Sequence, residues 1–143
     1  MSRADVSIID RSVQTTNIWL NELAGELGVD DRRYAYRVLR AALHALRDRL
    51  TVDEVAQLAA QLPELVRGIY YEGWDPSSTP AGYRDAESFL RRVESELRGD
   101  AGDTQASLAV AAVARLLRRH VSAGELDDVM GILPAGVRRL WNG

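Results

Sequence analysis

Apolar residues recur along this chain at intervals of three and four, and the intervals come in two similar series. Trp19, Leu20, Leu23 and Leu27 open the first, followed by Ala35, Val38, Leu39, Ala42, Leu43 and Leu46. Phe89, Leu90, Val93 and Leu97 open the second, followed by Ala106, Val110, Val113, Ala114 and Leu117. That spacing lines one face of a helix with a period near 3.6 residues, so each series predicts a pair of amphipathic helices. Alternating β-branched runs are absent, and Ala, Leu, Arg and Glu dominate, so no strand is predicted.

The two series belong to a longer internal match. RLTVDEVAQLAAQLPELVRGIY, from Arg49 to Tyr70, aligns without a gap with HVSAGELDDVMGILPAGVRRLW, from His120 to Trp141, at an offset of 71 (120 − 49). Helix punctuation recurs in the same register. The first helix is predicted to start after Thr15-Thr16 in one half and after Asp85 in the other, at an offset of 70 (85 − 15). Gly28 and Gly99 suit its stop, because glycine accepts the left-handed backbone that ends a helix. RGDAGD against GVDD supplies the extra residue, and the second helices open after Asp30 and Asp103. Thr51-Val52-Asp53-Glu54 and Ser122-Ala123-Gly124-Glu125 read as capping boxes, in which a hydroxyl caps a backbone N–H and a glutamate three residues on reaches back. Leu62-Pro63 and Leu133-Pro134 mark the next boundary, since proline disfavours helix before it and is accepted in the first turn of a new one. In the short last helices Leu65, Val66, Ile69 and Tyr70 match Gly136, Val137, Leu140 and Trp141.

The predicted fold is all-α: a tandem duplication of a short multi-helix unit, packed as one pseudo-symmetric bundle. Residues 1–143 form a single domain, with repeat one at 15–72, a Pro/Gly/Ser linker at 73–84 and repeat two at 85–143. One unit alone buries its apolar faces poorly, whereas two share a core. Residues 1–14 carry Val6, Ile9 and Val13 at helical spacing and read either as an extra docking helix or as a frayed end.

Composition removes several chemistries. Hydrophobic residues at 46% and charged residues at 27% fit a globular domain rather than a disordered chain. There is no cysteine, hence no disulfide, thiolate nucleophile or Cys-based metal site. All 18 basic residues are arginine, which excludes a P-loop lysine, a Schiff base and a pyridoxal phosphate anchor. No apolar run approaches the ~20 residues of a membrane span. The start MSRADVSIIDRSVQ lacks a signal-peptide core, so the expected location is the cytoplasm, without a membrane partner.

The run TTNIWLNELAGELGVDDRRYAYRVLRAALHALRDRL, with AAQLPELVRGIYYEGWDP and HVSAGELDDVMGILP, resembles the bacterial domain of unknown function 2267 family over about residues 15–143. The resemblance implies an all-helical fold of related halves. It carries over no activity, cofactor or catalytic residue.

Candidate chemistry is sparse. His44 and His120 fall at non-equivalent positions and outside any HxxxH or HExxH spacing, so they read as surface or boundary histidines. Asp30-Asp31, Asp53-Glu54 and Asp127-Asp128 sit at or near helix starts, where negative charge complements the helix dipole. GxSxG is absent. Neither metal nor cofactor is expected, and the chain reads as a non-enzyme. The helices joined at LTVDE could imitate a helix-turn-helix, but the would-be recognition segments VDEVAQLAAQ and AGELDDVMGI hold no arginine and lead with carboxylates. Net charge is −3, so nucleic acid is not the expected partner, although the second helix is basic through Arg32, Arg33, Arg37, Arg40, Arg47 and Arg49.

If shared positions build the core, function belongs among the differences. Repeat one has Tyr34, Tyr36, Arg37 and Arg40 where repeat two has Gln105, Ser107, Leu108 and Ala111. Repeat one also ends IYYEGWDPSSTP, with Tyr70, Tyr71 and Trp74 close together; Tyr70 matches Trp141 and belongs to the core. Tyr and Trp join apolar area to a polar tip and often anchor partners. The expected function is therefore an interaction module binding a protein partner through Tyr71, Trp74, Arg37, Arg40, Tyr36 and Tyr34. The alternative is a small-ligand sensor with a pocket between the repeats, beneath the same aromatics. The sequence leaves a homo-oligomer open.

Overall fold

A computed structural model describes residues 3–97 and 106–142, with side chains at 7–97 and 106–142. The described residues form eight α-helices and no strand. They are α1 (Arg3–Leu27), α2 (Arg32–Asp48), α3 (Val52–Ala59), α4 (Glu64–Tyr71), α5 (Ala86–Leu97), α6 (Ala106–His120), α7 (Ala123–Ile132) and α8 (Ala135–Asn142), with one 3-10 turn at Pro76–Ser78.

The helix starts at Val52 and Ala123 fall where the sequence sets them. Thr51 Oγ1 accepts from Glu54 N–H at 3.3 Å, and Ser122 Oγ accepts from Glu125 N–H at 3.2 Å. The return half of the box does not form at Ser122: its N–H donates to Gln61 Oε1 at 3.1 Å, and Glu125 turns inward. Pro63 stands one position outside α4, as its cap with extended ψ, rather than inside the first turn. Asp31 caps α2, accepting from Arg33 and Tyr34 N–H. Asp85 caps α5, accepting from Ser88 N–H at 2.7 Å. Gly28 ends α1 at φ +70°, in the left-handed region that favours glycine. The stop expected at Gly99, the start after Asp103 and the Gln105 position lie outside the described residues.

One boundary is corrected. Thr15-Thr16 does not start α1, which runs unbroken from Arg3. Thr16 Oγ1 donates to Ser12 O at 2.8 Å and Ser12 Oγ to Ile8 O at 3.1 Å, so these hydroxyls are satisfied by the preceding turn and need no helix end. Residues 3–14 thus continue α1. Its apolar register carries on past the bundle, leaving Ile9 53% and Val13 47% exposed.

The core is built on α2 and α6, which pack against each other and are rich in small residues. Ala35, Ala41, Ala42 and Ala45 are buried on α2, and Ala106, Ala109, Ala112 and Ala114 on α6. Short side chains let two helix axes come close, leaving room for neighbours on every side. α2 also meets α1, α4 and α5; α6 also meets α1, α5 and α8. Further pairings join α1 to α4, α5 to α8 and α3 to α7. Tyr70 and Trp141 are both buried, at the ends of α4 and α8. The linker lies along the end of α2: Tyr83 OH donates to Ala45 O at 2.6 Å, and Arg49 Nη1 to Ala81 O at 2.9 Å.

Leu62 and Leu133 are 2% and 1% exposed, the expected burial of the residues before the two prolines. In urea melts, Leu62→Ala and Leu133→Ala should each cost about 2–5 kcal/mol through lost packing and a residual cavity. Thr51→Ala and Ser122→Ala should each cost about 0.5–2 kcal/mol through the lost cap.

Candidate functional site

The side chains singled out by sequence lie on α2, at the end of α4 and just after it. Tyr36 is 37% exposed, and Arg33 and Arg37 beside it are exposed. With Asn17 and Leu20 of α1 they line a shallow groove whose far end holds Asp30 and Asp31. Tyr34 is half-buried against the core. Arg40 is half-buried and committed: its guanidinium bonds Glu72 Oε1, with Nε at 2.9 Å, and its Nη1 lies 3.8 Å from Glu96 Oε2. The hydrogen bond to Glu72 raises the Arg40 pKa further, against a smaller opposing effect of burial. Glu72 leads to Tyr71, whose ring centroid lies 5.6 Å from that of Trp74 and 5.4 Å from that of Tyr70. Tyr71 and Trp74 are both half-buried against the core, and Trp74 Nε1 donates to Thr79 Oγ1 at 2.9 Å. The groove holding Tyr36 has neither of them in its walls.

The basic face expected on α2 is broken up. Arg47 and Arg49 are buried. Arg47 Nη1 donates to Tyr70 O and Glu72 O, each at 2.8 Å, and its Nε to Asp48 Oδ1 at 2.8 Å. His44 is no surface residue: it is 3% exposed, with Nδ1 2.8 Å from Glu96 Oε1 and Nε2 2.7 Å from Ile69 O. Both partners, a carboxylate and a backbone carbonyl, are hydrogen-bond acceptors. Burial would raise the Glu96 pKa, but the bond to His44 and the Arg92 guanidinium hold it below the ordinary value. These groups clasp the end of α4 to α2 and α5. Of the five arginines in α2 and the capping Arg49, only Arg32, Arg33 and Arg37 remain exposed.

A second cluster escaped the sequence. Where the first turns of α3 and α7 meet, Glu54 and Glu125 are buried at 5% and 9% exposure, and Asp128 joins them from the surface. One carboxylate oxygen of each residue lies within 4.8 Å of the other two. Glu54 Oε1 and Glu125 Oε2 are buried without a hydrogen-bond partner. Desolvation and the facing Glu54 carboxyl push Glu125 up to about 8. Spacing along one helix does not reveal this cluster, because its members lie 71 and 3 residues apart (125 − 54 and 128 − 125). The available signal was the equal register of Glu54 and Glu125 in the two capping boxes.

A family model described as an uncharacterized conserved protein, domain of unknown function 2267, matches residues 16–140. The chain belongs to this family. No curated protein matches it significantly. The family description brings no activity with it, so chemistry in this DUF2267 domain has to be argued from its own side chains.

The domain also holds an apolar cavity of about 280 Å³ among α6, α7 and α8. Leu117, Val121, Ala123, Leu126, Met130 and Trp141 line it, with Arg118 and Asp127 at its edge. Leu43, Leu50, Val52 and Tyr71 stand at the matched positions of Ala114, Val121, Ala123 and Asn142, all smaller; Leu126, Met130 and Trp141 restore part of the lost volume. In half one Tyr70 OH donates to Val55 O at 3.0 Å, whereas Trp141 Nε1 is buried without a partner.

The raised Glu125 carboxyl gives a signed pH dependence. The folded state holds a proton that the unfolded chain releases above its ordinary value of 4.5, so this contribution to stability is full below that value and is lost as pH rises towards about 8. Thermal melts in chelator should therefore show a loss of stability across this window, and Glu125→Gln should flatten it. Carboxylates with lowered pKa, such as Glu26 beside Arg115 and Glu96, act in the opposite sense, and only at lower pH.

Proposed function

We propose that this domain is a non-enzymatic helical interaction module, built by tandem duplication, that binds a protein partner along the α2 edge of half one. The duplication reading is supported by helix pairings that come in matched sets. α2 meets α5 as α6 meets α1, α2 meets α4 as α6 meets α8, and α1 meets α4 as α5 meets α8. Pairs α2–α6 and α3–α7 join each element to its own counterpart, as elements beside a twofold must. Arg67 donates to Ala59 O and Leu62 O, and Arg138 donates to Met130 O and Leu133 O, 71 residues on (138 − 67).

The observation that carries the binding reading is the exposed Tyr36 ring between Arg33 and Arg37, above a groove floored by Leu20. An aromatic anchor with flanking guanidinium groups is the composition of interface hot spots. Arg32, Arg33 and Arg37 favour a partner that offers carboxylates around an apolar side chain. Tyr71 and Trp74 are not part of this groove: both are half-buried, and Trp74 is bonded within its own loop. A small-ligand sensor is the second reading. Its support is the half-two cavity with its lone buried indole donor, rather than a pocket beneath the half-one aromatics.

The test is affinity capture with the full chain as bait, comparing wild type with Tyr36→Ala/Arg37→Ala. The expected result is a captured protein whose affinity falls by about 2 kcal/mol or more in the variant, with an unchanged melting temperature. Trp74→Ala should instead lower the melting temperature. Capture that survives Tyr36→Ala/Arg37→Ala would remove the α2 edge as the binding surface.

A further inference from the structure

The carboxyl cluster between α3 and α7 plays no part in the binding surface on α2. It is also what a domain of this kind should avoid. Two carboxylates nine-tenths buried repel each other and lose hydration, and this cost persists unless a proton or a cation lies between them. Among the described residues no arginine or histidine is ion-paired with Glu54, Glu125 or Asp128, although arginines elsewhere are bonded to carboxylates and carbonyls throughout the fold. The chain has no lysine to supply. The nearby Tyr70 hydroxyl is directed elsewhere, donating to Val55 O at 3.0 Å.

Geometry narrows what could fill the gap. Oxygens bound to one hard cation at about 2.0–2.6 Å lie at most about 5 Å apart. The three carboxylate oxygens here fall within 4.8 Å of one another, so one ion can touch all of them. The donor set is oxygen only, which suits calcium, magnesium or manganese and not a softer metal that seeks sulfur or imidazole. Two further features are independent of the clustering. Glu54 Oε1 and Glu125 Oε2 are each sealed from solvent with no partner. Asp128, by contrast, is exposed, which gives the cluster an open side where water can complete a coordination shell.

We propose that Glu54, Glu125 and Asp128 form a binding site for a hard divalent cation, which ties the first turn of α3 to the first turn of α7. This reverses the expectation from sequence that the chain takes no metal, and it reassigns the glutamates of two capping boxes from helix ends to ligands. The ion replaces repulsion between the two halves with a shared counter-charge. Because it binds only where both helices are in place, it stabilises the folded chain by mass action.

Manganese chloride is the probe, added to the full chain after chelator stripping and dialysis near neutral pH. Electron paramagnetic resonance counts free Mn²⁺, and thermal melts report the folded state. Expected are saturable uptake of a single ion per chain, a rise in melting temperature with Mn²⁺, and displacement by Ca²⁺. Glu54→Gln keeps the shape of the side chain, and Asp128→Asn changes only an exposed one. Each should weaken uptake by about tenfold or more, and circular dichroism should show both folded. Absence of saturable uptake up to about 1 mM, the weak end of carboxylate sites, would overturn the site and leave a proton shared by the two glutamates. Uptake unchanged in both variants would overturn it as well, since the ion would then be held by other surface carboxylates.

Discussion

A helix buried on nearly every side must find partners for its own charges, and α2 sets that requirement for the whole domain. It meets α1, α4, α5 and α6, yet carries His44, Arg47 and, at its end, Arg49 into the interior. Leaving such groups bare would cost several kcal/mol each, so the surroundings are arranged to receive them. The receivers are carbonyls at the end of α4, at Ile69, Tyr70 and the capping Glu72, of which Ile69 O also accepts from Glu72 N–H at 3.3 Å. One set of contacts thus satisfies two obligations. It supplies donors to a helix end and acceptors to buried cations, and it fixes where Tyr71 and Trp74 emerge.

The same requirement recurs across the molecule with different residues. His44 bonds Glu96 between α2 and α5, and Arg115 bonds Glu26 between α6 and α1 at the matched positions. Beside these, Asp48 receives Arg92 where Arg119 meets Glu22, a pair with its charges exchanged. What is held constant at a given helix crossing is a side-chain nitrogen facing a carboxylate, not the identity of either residue. Such a rule tolerates sequence divergence, provided that both partners change together. Arg47 and Arg118 illustrate the remaining freedom: each donates to the carbonyl of the buried aromatic 23 residues on, but Arg118 stays exposed.

These features explain which parts of the chain could be read in advance. Caps, prolines and apolar stripes act over three or four residues, so Thr51, Ser122, Leu62 and Leu133 disclosed their roles directly. Thr15-Thr16 misled because a hydroxyl can bond the preceding turn as well as start a new helix, and only the continuing backbone decides between them. His44 looked ordinary because its partners lie 25 and 52 residues away. The aromatics of half one were recognised as a group, but their half-buried packing depends on α4 being tied to α2, a tertiary fact. Glu54 and Glu125 were noticed for a local reason, and their meeting is long-range.

That meeting bears on what the domain is for. Nothing in helix packing requires ionisable groups at the α3–α7 crossing; apolar side chains of similar volume would close it at least as well, often with a gain in stability. Among the described residues the rest of the interior follows that economy, with Arg47 and Arg49 bonded to carbonyls and His44 to Glu96, and single atoms such as Arg49 Nε left over. Three carboxylates gathered without a counter-charge therefore stand apart from the logic that built the fold. A feature that folding does not need, and that folding has to tolerate, is best explained by a ligand whose charge it answers. On that reasoning the crossing between the halves, rather than the aromatic edge, holds the most specific chemistry in the chain.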